Sequence, residues 1–157
     1  MFIHPANKVN TTTVSNIDEV MIQPNTIDLR VDSIYKIENS ELTLDEDRKI
    51  HRQITPCVCD DSGYWTLSHG SCYQINSNQQ IGMGEGELGL VIGRSTFNRN
   101  GVLIISSIYD SGFQDYIGAT LYNFSGEVRI KHNTRFAHLI LAKAETISLY
   151  AGDYGKQ

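Results

Sequence analysis

Apolar residues recur mostly at every second position along this chain, in short runs cut by Gly, Asn and Asp. Alternation of this kind is typical of half-buried β-strands. Turn residues return at intervals of about 8 to 12 residues, which favours a sandwich, jelly roll or barrel over alternating helices and strands. The predicted strands cover residues 27–31, 33–37, 64–67, 71–75, 88–92, 103–105, 118–122, 128–131, 137–142 and 147–151.

Little of the chain is predicted to be anything other than strand or turn. One short helix is expected near residues 97–100, with Ser95 or Thr96 as its N-cap. The charged stretch 39–53 is expected to be an exposed excursion, and the polar, glycine-rich stretch 76–86 is expected to be a loop. The chain is therefore predicted to be all-β.

The composition indicates one compact core. A chain of 157 residues that is 40% hydrophobic fits a single domain, here residues 1–157 with a tail at 150–157. The net charge is −5, and the 13 Lys and Arg are scattered, so no basic stripe could follow a nucleic-acid backbone. Any phosphate must then be bound in a local pocket by backbone amides, one or two Arg and a cation.

The compartment is indicated by features that the sequence lacks. The N-terminus does not resemble a signal peptide, and no apolar run approaches the roughly 18 residues of a membrane span. Three cysteines are too few for a disulfide scaffold and fit a reducing compartment. We expect a soluble, cytoplasmic protein that has neither nucleic acid nor a membrane as a partner.

The cysteines leave a second interpretation open. Cys57, Cys59, His69 and Cys72 could hold zinc, although their spacing is not one of the usual structural spacings. The favoured interpretation is that the cysteines are small buried side chains on two paired strands.

The segment 93–101, Gly-Arg-Ser-Thr-Phe-Asn-Arg-Asn-Gly, follows the apolar run 88–92. A strand that opens into glycine, arginine and two hydroxyl residues before turning helical gathers amides and a guanidinium at one point. This pattern indicates an anion site. The alternative is a capped turn with a surface arginine.

Two acidic residues lie next to apolar runs. Asp110 follows the run 102–105, so it would stand at the end of a buried strand, where a carboxylate can activate water. The alternative for Asp110 is an Asx-turn. Asp28 lies between Ile27 and Leu29, where an acid needs a partner or a cation because unpaired burial is costly. The alternative for Asp28 is a charge on the solvated face of an edge strand.

In their order along the chain, these segments resemble the shared motifs of the trimeric dUTPase and dCTP deaminase superfamily. Residues 28–30 resemble the first motif, and 93–101 resemble the second in the nine-residue form typical of the deaminase branch. Residues 110–116 resemble the third and 133–139 the fourth. The resemblance implies a jelly-roll-like distorted barrel, a homotrimer with active sites at subunit interfaces, dUTP or dCTP as substrate, and Mg²⁺ bound to the triphosphate.

The resemblance also implies roles for individual residues. Asp110 would hold the 3′-hydroxyl and the attacking water, and Asp28 would act on the metal and its waters. Phe113 would lie under the deoxyribose, where a flat apolar wall leaves no room for a 2′-hydroxyl. The residues expected to bind substrate are Arg94, Ser95, Thr96, Arg99, Ser106, Ser107, Phe113, His138 and Lys156, with Arg94 and Ser95 on the phosphates.

Three departures from the superfamily pattern affect these roles. The hairpin before Asp110 is two residues shorter than in either branch, so Ser106 and Ser107 become the candidates that read the base. His138 replaces the usual glutamine, either as a satisfied core residue, which is favoured, or as a ligand. In the short tail, Lys156 would replace an arginine as a point charge, without its bidentate grip.

The residue at position 120 separates hydrolysis from deamination. The deaminase branch needs a glutamate ten residues after the aspartate of the third motif, to move protons at the cytosine amino group. Here that position is Thr120, which is not a general base at neutral pH. Hydrolysis of dUTP to dUMP and pyrophosphate is therefore the favoured reaction. A dCTP deaminase and a non-catalytic nucleotide-binding trimer remain the alternatives.

Overall fold

A computed structural model describes residues 1–154. Within that range the chain is almost entirely β-structure, with one α-helix and one 3₁₀ turn at Glu19–Met21. The elements are β1 Phe2–Ile3, β2 Thr13–Val14, β3 Ile27–Ile37, β4 Thr43–Leu44, β5 Lys49–Ile50, β6 Ile54–Pro56, β7 Tyr64–Leu67, β8 Cys72–Gly82, β9 Glu87–Gly93, α1 Ser95–Arg99, β10 Val102–Tyr109, β11 Gln114–Asn123, β12 Val128–Lys131 and β13 Arg135–Lys143. No helix among the described residues is long and apolar enough to span a membrane.

Six strands close into an antiparallel barrel. Their order is β13-β9-β10-β11-β8-β3, and β3 pairs again with β13. Strands β1, β2 and β6 add to this sheet, while β7 with β12 and β4 with β5 form two small ribbons. Closure leaves few free sheet edges, which is how small all-β domains avoid pairing with other chains. The predicted all-β barrel is confirmed.

The barrel interior follows from the alternation that predicted the strands. On β11, for example, Ile117, Ala119 and Leu121 are buried while Tyr116 and Thr120 face outward. Successive side chains of a strand point to opposite faces, so one apolar set per strand fills the barrel. The largest fully buried side chains include Leu29, Ile34, Ile75, Ile81, Phe136, Leu139 and Leu141.

The prediction of a loop at 76–86 was wrong for 76–82, and only 83–86 form the turn between β8 and β9. Strand β8 continues to Gly82, and the side chains of Ser77 and Gln79 point inward where apolar residues were expected. Gln79 is satisfied there because its Oε1 accepts from the Arg30 amide at 2.9 Å and its Nε2 donates to the Asn16 carbonyl at 3.0 Å. These inward polar residues interrupt the apolar alternation, which is why the pattern indicated a loop.

Two other predictions differ from the structure. The predicted strand at 147–151 is absent, because β13 ends at Lys143 and the segment after it lies against the 110–113 turn. The helix has no side-chain cap: Arg94 is its N-cap residue, and Ser95 and Thr96 fall inside its first turn. The stretches predicted as strands at 27–31 and 33–37 form the single strand β3. The excursion 39–53 is mostly exposed, as predicted, and holds β4 and β5.

The cysteines are not placed as expected. All three are half-buried, and Cys57 and Cys59 follow β6 rather than lying on a pair of strands with Cys72. Among residues 1–154, no cluster of three or more His, Cys, Asp or Glu side chains could hold a metal ion. The zinc interpretation therefore gains no support.

Glu87 is a buried carboxylate that ties the N-terminal segment to the barrel. Burial alone would raise its pKa. Hydrogen bonds from Lys143 Nζ at 2.5 Å and from the Thr12 and Thr11 amides at 2.8 and 3.3 Å lower the pKa from 4.5 to about 2. A carboxylate with a depressed folded-state pKa stabilises the fold above pH 4.5, and this stabilisation is lost as the pH falls towards 2.

We expect Glu87→Gln to lower the free energy of unfolding at pH 7 by about 1–2 kcal/mol. The loss is no larger because Lys143 is half exposed, so solvent screens part of its attraction to Glu87. Denaturant melts at pH 7, 4.5 and 3 would measure this, and the deficit of the variant should shrink at the lowest pH. Glu85→Gln, at an exposed neighbouring acid, is the control. An equal deficit at all three pH values would contradict the assignment.

Candidate functional site

The β10–β11 hairpin opens into a cleft. The two strands pair from Val102 and Asn123 to Ile105 and Thr120, and there the ladder ends. Beyond it, β10 continues beside β9 with a register shift between Ile105 and Ile108, and β11 continues beside β8. The gap between the separated strands is a cleft of about 780 Å³. A cleft of this volume falls in the usual range for small-molecule sites.

Three residues predicted to bind the nucleoside line this cleft: Ser106, Ser107 and Phe113. Phe113 packs edge-on against two other rings, Tyr109 at 5.1 Å and Tyr150 at 5.4 Å between centroids. The tail reaches the cleft because the Tyr150 amide donates to the Ser111 carbonyl at 2.8 Å. The cleft is therefore lined by aromatic rings as well as by hydroxyl side chains.

Tyr109 was not among the predicted site residues. Its hydroxyl donates to the Gly118 carbonyl at 2.8 Å and accepts from the Gly118 amide at 3.1 Å. Burial raises the pKa of the phenol, and hydrogen bonds to Ser106 and Gly118 only partly oppose that effect. The phenol therefore keeps its proton at neutral pH. No sequence pattern identifies this contact, because it depends on where the two strands separate.

Asp110 follows β10 directly and is exposed at the turn that begins β11. The Phe113 amide donates to the backbone carbonyl of Asp110 at 3.0 Å, and the Gly112 amide donates to Met83 at 2.9 Å. The Asx-turn would need the Gly112 amide to bond to the Asp110 side chain, so it is not formed. The carboxylate stands beside a smaller pocket lined by Ser111 and the tail residues 146–152.

The turn 93–101 sits at the other end of the β9–β10 pair. The Arg94 amide donates to the Phe136 carbonyl at 3.0 Å, and its guanidinium donates to the Arg135 carbonyl at 3.3 Å. Ser95, Thr96 and Arg99 are exposed on α1, next to Arg94. The structure thus brings together the four residues of this segment that were predicted to bind substrate, among them Arg94 and Ser95, which were predicted to bind its phosphates.

Asp28 is fully buried, not on a solvated face. Its Oδ2 lies 3.0 Å from Arg135 Nη1 and 3.7 Å from Arg94 Nε, and its Oδ1 lies 2.7 Å from His138 Nδ1. A buried carboxylate needs such partners, because unpaired burial is costly. His138 is half-buried in this cluster, with Thr26 Oγ1 3.5 Å from the same ring nitrogen.

The contacts of Asp28 in this cluster bear on whether its carboxylate could bind a metal ion directly. Asp28 Oδ2 is paired with two arginines, whereas the buried Oδ1 forms no hydrogen bond with the described residues, although His138 Nδ1 lies 2.7 Å from it. Because the two guanidinium groups would repel a cation at this carboxylate, Asp28 does not fit a direct metal ligand. Arg135 belongs to this cluster but was not among the predicted site residues. It lies within the fourth motif, and the need of Asp28 for a partner was the signal that could have found it. Lys156 lies outside the described residues.

The two halves of the site are far apart in one chain. Asp110 adjoins Tyr109, which pairs with Gly89, whereas the 93–101 turn begins where β9 ends. Arg94 lies five residues beyond Gly89 and Asp110 one residue beyond Tyr109 in the opposite direction, so the two are separated by roughly 20 Å at the usual rise per residue. The carboxylate and the predicted anion site therefore do not meet within a single chain.

The chain is similar to known proteins along most of its length. A family model described as dCTP deaminase-like matches residues 2–144. A probable deoxyuridine 5′-triphosphate nucleotidohydrolase of Halobacterium salinarum is 30% identical over 146 residues, which is 90% of this chain and 87% of that protein. A "dCTP deaminase, dUMP-forming" of Persephonella marina is 27% identical over 150 residues, or 92% of this chain and 83% of the other.

Among solved structures, the fold is similar to that of 2′-deoxycytidine 5′-triphosphate deaminase from Agrobacterium tumefaciens. The TM-score is 0.63 at 13% identity, and the match covers 85% of this chain and 44% of that chain. At such low identity the likeness concerns the fold alone.

Proposed function

The chain belongs to the dCTP deaminase-like family, and from this premise we propose that it hydrolyses dUTP to dUMP and pyrophosphate. The observation that carries the proposal is the composition of the hairpin. An exposed carboxylate, Asp110, ends β10, while Thr120 lines the cleft where deamination would need an acid. One relative is named as a dUTP nucleotidohydrolase and another as a dUMP-forming dCTP deaminase. Both of these reactions release dUMP.

In the proposed reaction, Asp110 orients a water and accepts its proton as the oxygen attacks the α-phosphorus. The bond from the α-phosphorus to the bridging oxygen breaks, and pyrophosphate leaves with the electron pair. Arg94 and the amides at the start of α1 stabilise the charge that develops on the phosphate oxygens. Asp28 holds Arg94 and Arg135 in place through their ion pairs.

The cleft of the hairpin would take the nucleoside. Phe113 offers the flat wall for the deoxyribose, and Ser106 and Ser107 offer hydroxyl groups for the base. His138, which shares Asp28 with Arg94, would bind a polar group of the substrate near Arg94. Mg²⁺ is the expected cofactor, and it would bind chiefly through the triphosphate, because two arginines stand against Asp28. Lys156 stays a proposed point charge in the tail.

We further propose that the active protein is a homotrimer. The site is incomplete in one subunit, so Asp110 of one copy must meet Arg94 of another. A suitable contact surface exists, because Ile92 and Ile105 are cross-strand neighbours and both are exposed, at 48% and 60%. Leu103 and Phe124 are also exposed, at 39% and 54%. Such exposed apolar side chains are typical of surfaces that another protein covers.

Deamination remains the second candidate because Asp115 lines the same cleft. Its Oδ1 accepts from the Tyr116 amide at 2.7 Å, and it is the acid that a deaminase would have to use. A third possibility is a trimer that binds nucleotide without turnover.

Product analysis separates the three candidate functions. With Mg²⁺ present, we expect dUTP to yield dUMP and pyrophosphate, and we expect no ammonia from dCTP. Ammonia from dCTP that disappears in Asp115→Asn would establish the deaminase instead. A shift in melting temperature with dUTP but no product would establish a binding protein.

A further inference from the structure

The backbone of Gly118 is bonded in an unusual way at the point where the hairpin opens. Val102 pairs with Asn123 and Ile105 with Thr120, so a continuous ladder would set Ser107 opposite Gly118. That pairing is missing because β10 shifts register against β9 between Ile105 and Ile108. On its other side, Gly118 pairs with Asn76 of β8.

Side chains of β10 replace the missing ladder. The Tyr109 hydroxyl bonds to both the amide and the carbonyl of Gly118, at 3.1 and 2.8 Å. Ser106 Oγ donates to the same carbonyl at 3.0 Å and lies 3.3 Å from the Tyr109 hydroxyl. A phenol extends much further from its own backbone than the 4.7–4.9 Å or so that separates paired strands. The phenol therefore holds the two strands apart while both polar groups of Gly118 stay satisfied.

We infer that Tyr109 is a positioning residue that sets the width of the nucleoside cleft. The inference rests on the proposed function, because it takes this cleft as the place where the pyrimidine nucleoside binds. Tyr109 lines the cleft and its ring packs on Phe113, so the same side chain fixes both the spacing of the strands and the wall for the sugar. It acts through Gly118 and Phe113 and not on the phosphates.

This position predicts a specific kinetic effect. Tyr109→Phe keeps the ring and its packing on Phe113 but removes the bonds to Gly118. The separated strands are then no longer tied across the cleft, and the base should bind less tightly. We expect the KM for dUTP to rise about tenfold, the worth of one or two hydrogen bonds, while kcat changes little. Inhibition by inorganic tripolyphosphate, which lacks the nucleoside, should be unchanged.

Two further measurements separate this role from a general loss of stability. Amide hydrogen exchange at Gly118 should be faster in Tyr109→Phe than in the native protein. The Ser106→Ala variant should raise the KM for dUTP less than Tyr109→Phe does. Tyr122→Phe is the matched control, because Tyr122 lies on β11, the strand that contains Gly118, but packs on Phe124. This control should leave the KM for dUTP unchanged.

Several outcomes would overturn the inference. A lower melting temperature for Tyr109→Phe with an unchanged KM would make Tyr109 merely structural. Equal weakening of dUTP and tripolyphosphate would point to a general loss of the site. If the native protein neither bound nor converted dUTP or dCTP, the proposed function itself would be wrong. That result is distinguishable, because it would appear before any variant is made.

Discussion

Asp110→Asn is expected to lower kcat for dUTP by about 10²–10⁴-fold, the usual contribution of a general base. The amide can still hydrogen bond to the 3′-hydroxyl, but it cannot accept a proton from the attacking water. Binding of dUTP should therefore be little changed, and the loss should fall on turnover. Steady-state kinetics together with equilibrium titration of the variant would separate the two effects.

Asp61→Asn is a suitable control, since Asp61 is an exposed acid in a turn that does not line the cleft. It should retain native activity. If Asp110→Asn kept more than a tenth of the native kcat, Asp110 would not be the base. The proton acceptor would then have to be sought among other acids, beginning with Asp115 in the cleft.

The alternation of apolar and polar residues predicted the barrel because most strands bury the apolar residues of one face. The same rule failed at 76–82, where Ser77 and Gln79 occupy inward positions and are satisfied by hydrogen bonds that only the folded chain provides. It also failed at 147–151, whose alternating apolar residues suggested a strand. There the chain has left the barrel and packs against the hairpin turn through Tyr150.

The candidate site shows the same division between local and non-local information. Arg94, Ser95, Thr96 and Arg99 follow each other closely in sequence, so a motif could identify them together. The partners of Asp28 lie on β13 and at the start of α1, and only the closed barrel brings them within ion-pair distance. Tyr109 was missed for a related reason, because its hydroxyl bonds across a gap that the sequence does not reveal.

The roughly 20 Å between Asp110 and the proposed anion site makes a mixing experiment decisive. Asp110→Asn and Arg94→Gln should each be nearly inactive when assembled alone. If every site takes Asp110 from one subunit and Arg94 from another, mixed oligomers contain some sites with both native residues. After subunit exchange at equal amounts, about a quarter of the sites should be complete, and activity should recover towards that fraction.

The control mixture combines native protein with the double variant Asp110→Asn/Arg94→Gln, because it reveals the activity of hybrid oligomers independently of complementation. Native mass spectrometry would verify that subunits have exchanged and would give the number of subunits. Verified hybrids of the two single variants that stayed inactive would place both residues in the same subunit's site, or would remove one of them from the site. Recovery of activity would show that each active site takes Asp110 from one subunit and Arg94 from another.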